Sequence, residues 1–465
     1  MLSGRGKNQA LVFEGDRWDP SKNEGRGGPV FEQHLSYREL LVEVALRARV
    51  LKSLDLSAGD RIALNLPNIL EQIFYILAAQ RLGVIYTPVF GGFSAKTLSD
   101  RIHDAGAKVV ITADGGYRNA EVVPYKSTYT DPALDNYVPR PAALQTLSET
   151  LKSRLPADVA ERLETQVTEA VAGEITLERA DVMRELGLAL ERERGTAPEI
   201  IAELRTTVAS ELAGVSHAVT NVIVVRYTGN DIVEHSRDCW SHNLVDEVEA
   251  AFLADAGVAN RASLDSLDDN AFWKAVGSSI PAVPVEADWP LFIIYTSGST
   301  GKPKGVVHTH GGWLSGITHT MRTVFNANQD DCLYVIGDPG WITGQSYLIA
   351  APLAFGMSTV IAEGSPLFPH AGRFASIIER NQVTLFKAGS TFLKAVMTDP
   401  ASAQEMSRYD MSTLKVGTFC AEPVSPAVQK FAMDNICSHY INSYWATEHG
   451  GIVFSCPWGD FKPLE

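Results

Sequence analysis

Residues 293–306 read IIYTSGSTGKPKGV, in which an apolar run passes directly into hydroxyl residues, glycines and lysines. Glycine lets the backbone adopt positive φ and approach a ligand without a Cβ in the way. Backbone N–H groups, hydroxyls and lysine ammonium groups can then surround phosphate oxygens. A solvated turn is the common interpretation of a Gly/Ser loop. This density of donors directly after a buried strand favours a phosphate-binding loop instead.

A P-loop of the type found in kinases and GTPases is the obvious competitor. Its motif, GxxxxGK followed by Ser or Thr, would require glycine at position 296 and Ser or Thr at position 303. The sequence has Thr296 and Pro303 at these positions. The spacing therefore excludes the mononucleotide-binding fold of those enzymes.

Length, composition and charge limit the remaining classes of protein. At 465 residues the chain predicts two or more domains or subdomains. With 45% hydrophobic and 20% charged residues, the composition is typical of a globular enzyme. The formal net charge of -15 argues against a nucleic-acid partner, because binding a phosphate backbone needs a concentrated positive surface.

Cysteine usage and hydropathy predict the location of the protein. The five cysteines are scattered without a CxxC pair, so neither a zinc site nor a disulfide framework is predicted, and a reducing compartment fits. The N-terminus lacks the apolar segment of a secretory signal. The longest apolar stretch, residues 74–93, is interrupted by Gln80 and Arg81 and predicts no membrane span. We therefore expect a cytoplasmic protein without a membrane partner.

Local patterns predict an α/β fold. Ser36 and Glu39 have the capping-box spacing that starts a helix, and a second helix is expected over residues 68–82. The predicted strands cover residues 61–67, 84–90, 108–112 and 222–226. Strands that alternate with helices are typical of an α/β fold with parallel sheets.

Residues 141–215 differ from the rest of the chain. They contain no aromatic residue, and residues 177–190 and 200–212 carry helical spacing of apolar side chains. This pattern predicts a separate helical insertion with a thin core. Two interpretations stay open, a docking surface for another domain and a decoration on a loop.

The segment YTSGSTGKPKG, residues 295–305, resembles the phosphate-binding signature of adenylate-forming enzymes, which include acyl-CoA synthetases, nonribosomal adenylation domains and luciferases. Residues 36–40, 90–94 and 340–347 resemble the acetyl- and propionyl-CoA synthetase branch. The resemblance implies a large N-terminal domain of two αβα subdomains that binds ATP, Mg²⁺ and coenzyme A. It assigns phosphate binding to Thr296, Ser297, Gly298, Ser299, Thr300, Gly301 and Lys302.

A second block, NSYWATEHGG at residues 442–451, carries the rest of the nucleotide site by the same resemblance. The resemblance implies that Thr447 contacts phosphate and that Glu448 holds Mg²⁺, with Lys304 as a further catalytic residue. An aromatic face suits a purine, and a carboxylate suits Mg²⁺. The implied adenine-binding residues are Ala421, Glu422, Pro423, Asn442 and Tyr444. Ala421 departs from the glycine that is usual at its position.

The resemblance also implies an acyl pocket and a coenzyme A contact. Trp445 matches the pocket floor of short-chain members, with Ile342 and Thr343 opposite it. A large indole excludes long chains, so acetate, propionate and 3-hydroxypropionate are the expected acids. Arg118 matches the first of two arginines near the CoA nucleotide, whereas the second position holds Glu121.

The implied reaction converts a carboxylate and ATP to an acyl-adenylate and pyrophosphate, and then to acyl-CoA. In relatives the second step uses a C-terminal lid, which is expected to be absent because the chain ends at Glu465. Residues 1–465 are thus expected to be a truncated large N-terminal domain that is weakly active or inactive alone. The helical insertion resembles that of the ligase module of propionyl-CoA synthases, which suggests further catalytic domains as partners. The alternatives are an adenylation domain that loads a carrier protein and a non-catalytic nucleotide-binding scaffold.

Overall fold

The computed structural model describes residues 4–193, 197–297, 303–456 and 458–460, and two large β-sheets organise them. In the first, named the N-terminal sheet, neighbouring strands are parallel except for an antiparallel hairpin at one edge. Its strands, in spatial order, are Asp238–Trp240, Asn221–Val225, Val109–Ala113, Arg61–Asn65, Ile85–Pro88, Pro290–Ser297 and Pro303–Thr309.

The second sheet, named the C-terminal sheet, also contains the first strand of the chain. Its inner strands are parallel, and both edge strands are antiparallel to their neighbours. In spatial order they are Phe454–Ser455, Tyr440–Tyr444, Val416–Cys420, Leu385–Gly389, Cys332–Val335, Ser358–Ala362, Gln9–Glu14 and Glu32–Ser36. Small two-stranded ribbons are Trp18–Asp19 with Gly28–Pro29, Gly116–Arg118 with Glu121–Val123, and Tyr137–Pro139 with Thr176–Glu178.

Helices cover the faces of both sheets. The α-helices are Lys22–Gly25, Tyr37–Ser53, Leu70–Leu82, Ala95–Ala105, Asp131–Asp135, Arg140–Arg154, Ala157–Ala170, Arg179–Arg192, Pro198–Ala213, Ser241–Ala256, Ala262–Asp265, Asp269–Ser279, His310–Thr323, Ala351–Phe355, Arg373–Arg380, Ser390–Thr398, Ser402–Met406 and Pro426–Asn435. Lys126–Thr130 and Gly344–Ala350 are π-helical, and Thr447–His449 and Trp458–Asp460 are 3₁₀-helical. In the part of the chain described here, no helix combines the length and apolar character needed to cross a membrane.

The main hydrophobic core lies between the two sheets. It joins Ile62 and Phe292 of the N-terminal sheet to Leu333 and Ile441 of the C-terminal sheet through a shared layer of helices. Separate clusters cover the outer face of each sheet. This arrangement confirms the predicted α/β fold, in which helices lie on both faces of mostly parallel sheets.

The local predictions for the first third of the chain agree closely with the structure. Ser36 accepts a hydrogen bond from the Glu39 N–H at 3.2 Å, and the Ser36 N–H donates to the Glu39 carboxylate at 2.7 Å. This capping box begins the helix Tyr37–Ser53 as predicted. The predicted strands differ from the observed ones by at most two residues at their ends, as is usual because helix and strand ends fray.

The four-helix segment, residues 140–213, lies between Val109–Ala113 and Asn221–Val225, which are neighbours in the N-terminal sheet. Its core is fuller than the lack of aromatic residues suggested. The buried aliphatic side chains include Leu147, Leu163, Leu186 and Val208. The segment is not wholly helical, because Thr176–Glu178 forms a ribbon strand and the next helix starts at Arg179. The docking role predicted for this segment stays a prediction.

His217 connects the end of the four-helix segment to the N-terminal sheet and gives a prediction of pH dependence. Its Nε2 lies 3.0 Å from the Ser99 hydroxyl oxygen, and burial lowers the pKa of His217 to about 4. The unfolded chain binds a proton at this histidine more readily than the folded protein does. Protonation of His217 therefore does not lower the free energy of unfolding above about pH 6.5, and it lowers that free energy progressively as the pH drops toward 4. Over that range, His217 should reduce the free energy of unfolding by up to about 3 kcal/mol.

We expect His217→Gln to flatten the decline of the apparent melting temperature between pH 7 and pH 4. The same substitution at the exposed His319 is the matched control and should leave the decline unchanged. Parallel declines for the wild type and His217→Gln would contradict this assignment.

Candidate nucleotide and acyl site

The candidate site lies at the carboxyl ends of the parallel strands of the C-terminal sheet. Cys332–Val335 has Ser358–Ala362 on one side and Leu385–Gly389 on the other, so the chain changes direction across the sheet at this strand. Crevices outside the carboxyl ends of strands at such a switch point are where α/β sheets bind ligands. The strand Tyr440–Tyr444 ends at the same edge.

The predicted phosphate loop connects the two strands of the hairpin in the N-terminal sheet. Thr296 lies opposite Lys304, and Ser297, the last residue of its strand, lies opposite Pro303. Lys304 is exposed. The remaining predicted phosphate ligands, Gly298, Ser299, Thr300, Gly301 and Lys302, lie outside the described residues, so their roles stay predictions. The hairpin nevertheless fixes the positions of the backbone on either side of the loop, at Ser297 and Pro303.

A hydrogen-bonded junction, named the Gly450 joint, brings this hairpin to the second block. The Trp313 indole N–H donates to the Gly450 carbonyl at 3.1 Å, and the Ser346 hydroxyl donates to the same oxygen at 2.6 Å. His308 Nε2 lies 2.9 Å from the Thr447 carbonyl oxygen, to which its N–H donates. The joint consists of His308, Trp313, Ser346 and Gly450. It unites two motifs that are far apart in the sequence.

The electrostatics of His308 support its role as a neutral donor. Burial lowers the pKa of His308, whereas its hydrogen bond to Thr447 and the charge of Glu448 oppose that shift. A neutral imidazole with its proton on Nε2 can donate to a carbonyl without placing a charge in the core. The hydrogen bond therefore positions Thr447 next to the hairpin that carries Lys304.

The predicted adenine-binding residues form an exposed surface at the strand ends. Asn442 and Tyr444 are both exposed because side chains alternate along a strand, and Tyr444 has 56% of its surface accessible. Ala421, Glu422 and Pro423 follow the neighbouring strand and are exposed as well. An exposed phenol ring beside an exposed backbone segment is a suitable platform for a purine.

Glu448 is the residue predicted to hold magnesium. It lies in the turn Thr447–His449 and is exposed. Among the described residues its carboxylate has no hydrogen-bond or ion-pair partner. Mg²⁺ is usually bound by one or two carboxylates together with substrate phosphates, so an exposed carboxylate without an ion-pair partner among the described residues fits this ion.

The predicted acyl pocket is built around the Trp445 indole. The Tyr347 ring meets it edge to face, with ring centroids 5.2 Å apart. Tyr347 lies on the π-helix Gly344–Ala350, which directly follows Ile342 and Thr343. Ile342 is buried and Thr343 is half-buried. Tyr347 therefore connects the segment that bears Ile342 and Thr343 to Trp445.

Arg118 lies apart from these residues, on the rim of a cavity of about 410 Å³. Trp341, which precedes Ile342, and the half-buried Asp338 line the same cavity. Burial raises the pKa of Asp338 to about 6. Among the residues that the structure describes, Arg118 forms no ion pair. Glu121 lies opposite Arg118 in the ribbon but does not line the cavity.

Five residues of the site escaped the sequence analysis as functional candidates. They are His308, Trp313, Ser346, Tyr347 and Lys387. Only Lys387 carries a local signal, since lysine inside the apolar strand LFKAG is rarely buried without a reason. The others contribute through contacts between distant segments, which no local pattern shows.

Ala421 gives a prediction about backbone strain. Its φ of 80° lies in the left-handed region, where a Cβ costs about 1 kcal/mol. We expect Ala421→Gly to raise the free energy of unfolding by up to about 1 kcal/mol, because glycine relieves this strain. The apparent melting temperature should rise accordingly. Ala401, with φ of -81°, is the control, and Ala401→Gly should give no gain. If the two substitutions change the melting temperature equally, the backbone at Ala421 is not strained.

Gly450 gives a prediction about the joint. Its φ is 72°, and an added Cβ would lie 2.7 Å from Trp313 Cδ1 and 2.8 Å from His308 Cε1. Gly450→Ala should destabilise the protein by about 2–4 kcal/mol, because overlap adds to the backbone cost. At Gly257, φ is 70° and no atom lies within 4 Å, so Gly257→Ala should cost only about 1 kcal/mol. If thermal unfolding shows that Gly450→Ala and Gly257→Ala lose equal stability, the predicted overlap at position 450 is wrong.

Known proteins are similar to this chain over most of its length. The family model described as AMP-binding enzyme matches residues 18–189 and 204–464. The acetyl-coenzyme A synthetase of Methylobacterium radiotolerans is 30% identical over 98% of this chain and 52% of its own length. Acetyl-coenzyme A synthetase 2 of Pseudomonas putida gives the same figures, and the Aeromonas hydrophila acetyl-coenzyme A synthetase is 30% identical over 99% of this chain and 54% of its own length.

This chain spans about half the length of the curated relatives that it matches. The family match, in contrast, covers most of the chain and includes both the hairpin and the second block. The chain therefore belongs to the family of AMP-binding enzymes.

Proposed function

We propose that this chain binds ATP and a short-chain carboxylic acid, and that the whole protein joins them into an acyl-adenylate and then forms an acyl-CoA. The observation that carries this proposal is the Gly450 joint, which unites the phosphate-loop hairpin with the turn that bears Thr447 and Glu448. The names of the relatives, which are acetyl-coenzyme A synthetases, support the same class of reaction.

The chemistry needs no side-chain nucleophile. A carboxylate oxygen attacks the α-phosphorus of ATP, a new P–O bond forms, and the bond to pyrophosphate breaks. The protein must hold two anions together and neutralise their charge. Lys304 and Thr447 are the described residues proposed to contact phosphate, and Glu448 is proposed to hold magnesium. Magnesium, when bound, would supply positive charge beside the phosphates.

The acyl pocket supports a short acid. Trp445 is proposed as the pocket floor, and Ile342 and Thr343 as the opposite wall. A large indole there would overlap with a long acyl chain. One methylene is worth only about 1–3 kcal/mol in an apolar pocket, so acetate, propionate and 3-hydroxypropionate all remain proposed substrates.

Coenzyme A is the proposed acyl acceptor. The cavity of about 410 Å³ is lined by Arg118 and by Trp341, which lies beside the proposed acyl wall. A cation without an ion-pair partner among the described residues suits a nucleotide phosphate. This observation favours coenzyme A over a carrier protein as the acceptor.

Direct nucleotide binding tests the first part of the proposal. We expect Tyr444→Ala to weaken ATP binding, measured by calorimetry, by about fivefold to a hundredfold, because stacking of a base on an aromatic ring is lost. Trp273→Ala, which truncates an exposed aromatic residue on the helix Asp269–Ser279, is the control. If the chain does not bind ATP, or if both variants bind it equally, the proposed adenine platform is wrong.

Acid-dependent exchange between pyrophosphate and ATP tests the reaction. In the whole protein we expect exchange with acetate, propionate or 3-hydroxypropionate but not with octanoate, and a loss of at least about tenfold in Lys304→Ala. Lys430→Ala, at an exposed lysine of the helix Pro426–Asn435, is the control. ATP binding without exchange in the whole protein would support a nucleotide-binding scaffold instead.

A further inference from the structure

Lys387 is a fully buried cation behind the proposed acyl pocket. It lies on the strand Leu385–Gly389 and has 0% of its surface exposed. Its Nζ donates to the Ser443 hydroxyl oxygen at 2.8 Å, and Ser443 in turn donates to the Phe419 carbonyl at 2.7 Å. Because Val416–Cys420 lies between the strands of Lys387 and Ser443, the lysine reaches across one strand of the sheet.

This lysine differs from other buried cations of the protein. Lys126 contacts Asp131 at 2.9 Å and Asp238 at 2.8 Å, so its charge is compensated. Among the residues with described positions, no carboxylate lies within ion-pair distance of Lys387. Burial lowers the pKa of Lys387, and the neighbouring Cys420 thiol acts in the opposite direction. A buried charge without a counter-ion is costly, so a purely space-filling role would be served better by an apolar side chain.

Two aromatic rings take the place of the missing carboxylate. The Lys387 Nζ lies 5.1 Å from the centroid of the Tyr347 ring and 5.2 Å from that of the Trp445 ring. Both distances are within the range of a cation–π interaction, which is stronger where water is excluded. The ammonium group therefore contacts both rings that meet at the proposed pocket.

The two rings are held in different ways. The Tyr347 hydroxyl lies 2.8 Å from the Thr320 hydroxyl and accepts a hydrogen bond from the Ile452 N–H at 3.0 Å. Within the described residues, the Trp445 indole N–H has no hydrogen-bond partner. The orientation of Trp445 thus depends on its packing against the hydrophobic core and on its contacts with the Tyr347 ring and the Lys387 ammonium group.

We propose that Lys387 is a positioning residue that holds the Trp445 indole against Tyr347 and thereby sets the upper limit on acyl-chain length. The proposal rests on the proposed function, since it takes Trp445 as the pocket floor. Lys387 does not touch the acyl chain itself. Its loss would let the indole rotate and open space for a longer chain.

Binding of AMP alkyl esters tests this proposal without turnover. The ethyl, propyl, butyl and pentyl esters of AMP imitate acyl-adenylates of increasing length. For the wild-type chain, calorimetry should show the pentyl ester binding at least about tenfold more weakly than the propyl ester. In Lys387→Met, this difference should shrink to about unity. The melting temperature should stay the same or rise, because Met has a similar shape without the buried charge.

Further variants separate positioning from a general structural effect. Trp445→Gly should also abolish the length limit, and Lys387→Met in that background should add nothing, because the lysine acts through the indole. Lys430→Met is the matched control at an exposed lysine and should keep the wild-type difference. Should Lys387→Met fail to fold, Ser443→Ala, which removes the tether of the ammonium group, should weaken the length limit in the same direction.

The outcomes are distinguishable. A wild-type length limit that persists in folded Lys387→Met, or an additive effect in the double variant, would overturn the positioning role while the proposed function stands. If the wild-type chain binds none of the esters, both the proposed function and this inference are refuted. If it binds all of them equally, Trp445 is not the pocket floor and the inference is refuted with it.

Discussion

The Gly450 carbonyl is the point on which the geometry of the candidate site depends. It accepts hydrogen bonds from Trp313, on the helix that follows the phosphate-loop hairpin, and from Ser346, on the π-helix that follows the acyl-pocket segment. Two distant stretches of the chain therefore donate to one carbonyl oxygen of a third. Because a buried carbonyl must be satisfied, and because a side chain at position 450 would overlap with Trp313, few other arrangements of these stretches are compatible with the core.

The site has an exposed layer that rests on a buried one. The residues proposed to contact ligands, such as Tyr444 and Glu448, are exposed at strand ends and in turns. Directly behind them, Ser443 and Ser390 are fully buried and hydrogen-bonded, and Ser390 accepts from the Glu422 N–H at 3.1 Å. Ligand-binding groups need supports that hold them in place before the ligand arrives, because ordering them on binding would cost affinity.

Much of the fold could be predicted from local patterns. The capping box at Ser36 and the β-branched runs near residues 109 and 222 have a periodicity or a hydrogen-bonding signature that depends only on neighbouring residues. The order of the strands could not be predicted. Gln9–Glu14, from the start of the chain, pairs with Ser358–Ala362 in the C-terminal sheet, and this pairing depends on burial over the whole molecule.

The sequence by itself determined the chemical class of the site, because the glycines, hydroxyls and lysines of the phosphate loop and the aromatic and acidic residues of the second block lie within short motifs. Only the tertiary structure decided which residues support them. His308 and Thr447 are separated by 139 positions. Lys387 lies on Leu385–Gly389 and Trp445 directly follows Tyr440–Tyr444, and these two strands are not neighbours in the sheet. Contacts of this kind arise from sheet order and from packing of the shared helical layer, and a linear pattern of residues does not encode them locally.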